Sequence, residues 1–170
     1  MTRTGLIFRK EWEPDVADRF DSEGKFISKT RRFPARASGS MATTVEDLAR
    51  FAEHLLDSDT GQAFKPQIKI RTLHQFPATE NEPEGTEAKA TGLAYGLGWG
   101  LLTKTKFGPA FFKEGHGDGA QNYMICFERS KTCMILLTNS DDGELAFRPL
   151  LETILGNTVT PWTWHGWALK

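Results

Sequence analysis

Hydrophobic positions along the chain fall into two kinds of pattern. In TTVEDLARFAEHLLDS, residues 43–58, Leu48, Phe51, Ala52, Leu55 and Leu56 recur at helical spacing, while Arg50, Glu53 and Asp57 face away. Thr43 or Thr44 provides a cap, with Glu46 or Asp47 three residues on. ELAFRPLLETILG, residues 144–156, repeats the pattern through Phe147, Leu150, Leu151, Ile154 and Leu155. Gly156 ends it, and Pro149 belongs in its first turn. Between these helices, LAYGLGWGLLTKT (93–105), PAFFKEG (109–115), QNYMICFE (121–128) and KTCMILLTNS (131–140) are short β-rich runs separated by turn residues. The glycines at 96, 98 and 100 leave one face of the first run bare.

The remaining segments lack such periodicity. Residues 1–40 are polar, broken by Pro14, Gly24, Pro34 and Gly39, and predict a mostly irregular lead-in. HQFPATENEPEGTEAKATG, residues 74–92, reads as a long exposed acidic loop. TPWTWHGWALK follows the last helix, and its tryptophans are expected to cover a core edge. The order helix, loop, four β segments, helix predicts one α+β domain over 1–170: an antiparallel sheet over 93–140, with helices at 43–58 and 144–156 packed on it.

Composition narrows the function. The 170 residues are 39% hydrophobic and 25% charged, enough for one domain with a core. The net charge is −1, from 21 basic and 22 acidic residues without a basic cluster, so a nucleic-acid partner is not expected. No run approaches about 18 consecutive apolar residues, so no membrane span is expected. The opening residues show no signal-peptide pattern, and the compartment is left undetermined. Cys126 and Cys133 would face each other if Arg129 and Ser130 turn a hairpin. A disulfide is then geometrically available, with two reduced core thiols the favoured reading.

The chemically suggestive segment is Glu114-Gly115-His116-Gly117-Asp118-Gly119, set between two β runs. His116 reads either as a strand-end histidine or as one wall of a site, and Asp118 as a turn former. The glycine-spaced segments do not lead from a strand into a helix, so phosphate binding is not expected. His54, His74 and His165 show no metal-ligand spacing, and neither metal nor cofactor is expected. Trp99 reads as core or as a cleft wall.

Taken in order, ASGSMATTVEDLARF, YGLGWGL, EGHGDG and MILLTNSDDGE, followed by a helix, resemble the C-terminal half of serine β-lactamases and penicillin-binding proteins, class C-like branch. The resemblance spans roughly residues 37–156 and implies a partial β-lactamase/transpeptidase-like fold. It places His116 at the third active-site motif, with Gly117, Asp118 and Gly119 beside the substrate. It implies hydrolysis of an amide or ester, a small molecule or peptide-like compound, through an acyl-serine in a full-length parent. Two departures stand out: Asp118 replaces the usual glycine, and the span from His116 to LLTN is short. The family's Ser-x-x-Lys finds only Ser22-Glu23-Gly24-Lys25, without a following apolar helix, and no Tyr-x-Asn or Ser-x-Asn fits. MTRTG resembles the family segment that follows the helical subdomain. The chain is therefore expected to be a C-terminal fragment without a nucleophile, inactive alone, or a non-catalytic binding module. It is also expected to form a homo-oligomer through an open sheet edge.

Overall fold

The computed structural model describes residues 1–29, 31–58 and 61–167. Strand β1 (Arg19–Phe20) and strand β2 (Phe26–Ser28) form a small hairpin in the lead-in, after a 3-10 turn at Lys10–Asp15. Helix α1 (Val45–Asp57) starts where Thr44 Oγ1 accepts the amide of Asp47 at 3.3 Å. Strand β3 (Ile68–Lys69), helix α2 (Thr86–Thr91), and strands β4 (Leu93–Tyr95), β5 (Gly100–Leu102), β6 (Ala110–Gly117), β7 (Ala120–Phe127) and β8 (Thr132–Leu137) follow. A 3-10 turn at Gly143–Ala146 leads into α3 (Phe147–Leu155), and the short α4 (Trp162–His165) closes the described chain. The six strands β3 to β8 form one antiparallel meander in sequence order.

Two elements differ from the sequence expectation. The 74–92 stretch is not loop throughout: Thr86–Thr91 is helical and ends on Gly92 at φ +63°. The run 93–105 is two strands, with Gly96 and Gly98 in the turn between them. Gly100 remains in a strand, and the ring of Phe112 fills the space its side chain would take.

Side chains alternate across the sheet. Phe111, Met124 and Cys126 meet α1 through Ala52, Leu55 and Leu56. Phe112, Tyr123, Ile125 and Phe127 meet α3 and the C-terminal segment through Phe147, Leu151, Trp162, Trp164 and Trp167. Full burial of each such phenylalanine contributes about 2 kcal/mol. The C-terminal segment is also fixed by polar contacts. Glu87 accepts hydrogen bonds from the Thr163 amide (2.7 Å), the Thr163 hydroxyl (2.9 Å) and the Trp164 amide (3.1 Å).

Cys126 and Cys133 are directly paired residues of β7 and β8, and they form a disulfide with Cα atoms 4.0 Å apart. This corrects the expectation of two reduced thiols. The turn between the strands sets the register that places one sulfur opposite the other.

Candidate active site

β6 carries the candidate residues, and its hydrogen-bond parity determines what they offer. The Thr138 amide donates to the Gln121 carbonyl at 3.1 Å. Odd-numbered residues of β7 therefore bond to β8 and even-numbered ones to β6. On β6 the bonded partners are Lys113, Gly115 and Gly117. Glu114 and His116 aim their backbone N–H and C=O the other way, towards the β5 side. β5 pairs only with Ala110–Phe112, so this half of β6 presents an open edge among the described residues.

The same alternation divides the side chains. Lys113 and Gly115 face the α1 side and line a cavity of about 540 Å³, together with Trp12, Phe51, Trp99 and Asn122. A Cβ built on Gly115 would meet open space, whereas one on Gly117 would come within 2.9 Å of Arg19 Nη2. His116 does not line this cavity. It projects from the opposite face, its side chain 42% exposed, with its ring 5.6 Å from that of Trp167. Nδ1 lies 3.4 Å from Glu144 Oε2, and Nε2 lies 4.0 Å from Glu114 Oε2. Asp118 and Gly119 form the two-residue turn to β7; Asp118 is exposed at the tip, and the Gly119 amide donates to Asp141 Oδ1. Gly119 adopts φ +67°, which suits glycine. His116 and the glycines are thus gathered at one strand end; His116 itself does not line the cavity, whereas Glu114, 4.0 Å from it, and Tyr123 do.

Behind His116 is a buried polar cluster that the sequence did not signal. His165 is buried against Trp167, rings stacked 4.4 Å apart, and its Nδ1 lies 3.1 Å from Glu114 Oε2. Gln75 Nε2 donates to Glu114 Oε1. Burial pushes the Glu114 carboxyl up, but contact with His165, the hydrogen bond from Gln75 and the nearby His116 outweigh it and hold it below the ordinary carboxylate range. Burial, reinforced by the Glu114 charge, pushes Tyr95 up to about 12 and Tyr123 well above its ordinary value. Among the described residues, no group of three His, Cys, Asp or Glu side chains converges to hold a metal ion. Ser22–Lys25 lies in the turn between β1 and β2, with Ser22 and Lys25 both exposed.

The Beta-lactamase family profile matches residues 1–155. The chain belongs to the Beta-lactamase family. Among solved structures, it is similar to the octameric penicillin-binding protein homologue from Pyrococcus abyssi, with a TM-score of 0.67 at 19% identity. That match covers 97% of this chain and 36% of the other, so this chain spans about a third of that structure's length and shares its fold over that part. A comparison with curated proteins gave no match. Within this Beta-lactamase domain the β6 segment stands inside the matched region, whereas the tryptophan-bearing segment after Leu155 lies beyond it. No helix among the described residues is long and apolar enough to cross a membrane.

Proposed function

We propose that this chain supplies the sheet side of a β-lactamase-like acyl-serine hydrolase site and does not turn over substrate by itself. The observation that carries this reading is the setting of Ser22. It belongs to the one Ser-x-x-Lys spacing in the chain, and it stands in an exposed hairpin turn instead of at a buried helix start. Among the described residues no hydrogen bond ties its hydroxyl to a base, and the acyl-serine chemistry needs such a base.

In this reading the substrate is an amide or ester that lies along the open half of β6, where the backbone groups of Glu114 and His116 are available to it. His116 acts as the third-motif residue, and Gly117, Asp118 and Gly119 border the approach. A serine hydroxyl held elsewhere in such a fold attacks the substrate carbonyl. The amine or alcohol then leaves with a proton, and water hydrolyses the acyl-serine.

The test uses the 170-residue chain. Nitrocefin and a p-nitrophenyl ester should give no turnover above buffer, and Ser22→Ala should change nothing. Benzylpenicillin added to isotope-labelled protein should shift the amide signals of Gly115, Gly117 and Gly119. Turnover that disappears in Ser22→Ala would overturn the assignment of that serine, and silent glycine amides would overturn the site.

A second reading, self-association through an open sheet edge, is favoured by the position of β8 at one end of the six-stranded sheet among the described residues. The Pyrococcus abyssi homologue is itself octameric.

A further inference from the structure

Trp167 touches both imidazoles near the end of β6. Its ring stacks on that of His165 at 4.4 Å and lies 5.6 Å from that of His116, with the latter two planes 30° apart. The second separation falls within the range of productive aromatic pairs, about 4.5–7 Å. His165 in turn lies 3.1 Å from Glu114, two places before His116 on β6. The strand and the C-terminal segment therefore meet twice, once inside the core and once at its surface.

The indole is held firmly. Trp167 is buried, and its ring meets those of Tyr123 and Phe147 edge-on, at 5.1 Å each. Its amide donates to the Trp162 carbonyl at 2.9 Å, and the amide of Gln75 donates to the Trp164 carbonyl at 2.9 Å. His116, by contrast, is only loosely restrained in its own plane. Its Nδ1 is 3.4 Å from Glu144 and its Nε2 4.0 Å from Glu114. Both separations exceed the usual hydrogen-bond range of about 2.7–3.2 Å. The rigid neighbour that His116 meets is the indole.

We propose that Trp167 is a positioning residue for His116, and that the C-terminal segment is thereby part of the candidate site. The proposal rests on the reading of His116 as the third-motif residue and adds what orients it. An exposed imidazole ordinarily moves between rotamers and loses that freedom when a ligand arrives. Contact with a fixed indole removes the alternatives beforehand, so the ring nitrogens already point one way. Trp167 is buried and acts through His116, not on substrate. Glu114 and His165 tie the segment to the strand, which keeps the indole in register with the imidazole.

Nuclear magnetic resonance of the isotope-labelled chain tests this, with the His116 ring signals identified by their loss in His116→Gln. Cross-relaxation between the His116 ring protons and the Trp167 indole is expected, with side-chain couplings that report a single χ1 rotamer. Trp167→Ala should average those couplings and weaken the affinity read from the benzylpenicillin-induced glycine shifts by about twofold to tenfold. Trp167→Phe keeps an aromatic face and should restore the single rotamer. Thr163→Val removes the hydroxyl bond to Glu87 and loosens the same segment without altering the indole, so the His116 couplings should not change. Averaged couplings in the unmodified chain would overturn the proposal, as would a single rotamer or an unchanged affinity in Trp167→Ala. Averaging in Thr163→Val equal to that in Trp167→Ala would also overturn it, because Trp167 would then only anchor the tail. Should Trp167→Ala fail to fold, the couplings of the unmodified chain and of Trp167→Leu decide. Glycine amides silent towards benzylpenicillin would overturn the hydrolase reading alone, and the rotamer measurements would still decide what holds His116.

Discussion

Glu114 and His165 lie 3.1 Å apart, Oε2 to Nδ1, and so join the middle of β6 to the C-terminal segment from inside the core. Only 11% of the Glu114 side chain and none of the His165 side chain is exposed. A carboxylate there is tolerable only with partners, and Gln75, His165 and His116 surround it.

Acid should loosen this joint. The Glu114 carboxyl is held below its ordinary value in the folded chain. Such a group adds stability that is complete above its unfolded value, about 4.3, and is lost as the pH falls through the lower folded value. Glu114→Gln should flatten that part of the acid limb. It should also lower stability near neutrality by about 1–3 kcal/mol, because the other buried polar groups keep their desolvation cost. Urea unfolding at a series of pH values checks both effects.

The chain has two tyrosines, and both resist ionisation while folded. An exposed tyrosine is roughly nine-tenths ionised one pH unit above its value of about 10. Here Tyr95 is pushed up to about 12, and burial pushes Tyr123 well above its ordinary value. A raised phenol contributes stability that is intact below the unfolded value and lost as the pH rises through the folded one. The absorbance of phenolate should therefore stay low past the ordinary tyrosine range and then rise together with loss of the fold.

Reducing the Cys126–Cys133 disulfide, or replacing both residues by alanine, should cost about 2–3 kcal/mol with the strand register kept. The residues are only seven positions apart, so the closed loop is short and the effect is at the lower end for disulfides. Thermal unfolding with and without reductant measures it.

Gly100→Ala should destabilise the sheet by about 1–3 kcal/mol, because the new methyl would come within 2.2 Å of the buried Phe112 ring. Gly98→Ala, by contrast, meets no atom within 4 Å, and its cost comes only from φ +85°. A pair of melting curves separates overpacking from backbone strain.

The parts of the fold that could be read from sequence are those where a long amphipathic pattern meets its own cap or stop. α1 shows this through Leu48 to Leu56 with Thr44 before it, and α3 through Phe147 to Leu155 with Gly156 after it. α2 was hidden because its six residues, Thr-Glu-Ala-Lys-Ala-Thr, are too few for a stripe and lie in an acidic, proline-bearing stretch. β4 and β5 merged in the reading because Gly96 and Gly98 look alike whether they thin a strand or turn it. β3 is too short to leave a pattern. At the candidate site, the strand-borne position of His116 and the turn at Asp118–Gly119 follow from local spacing. The face from which His116 projects depends on register, and His165 reaches Glu114 only through tertiary packing of a segment beyond the matched family region. No local pattern encodes that contact.

The turn holding Asp118 and Gly119 is anchored from two directions. Asp141 receives the Gly119 amide, and a Cβ on Gly119 would come within 3 Å of Arg19 and Phe20, so the lead-in hairpin rests directly on it. Lengthening this loop would uncouple three distant stretches of chain in one stroke, whereas the exposed Thr79–Asn81 bend has no comparable attachment. Insertions would therefore be better tolerated on the outlying bend than at this end of the β6–β7 hairpin.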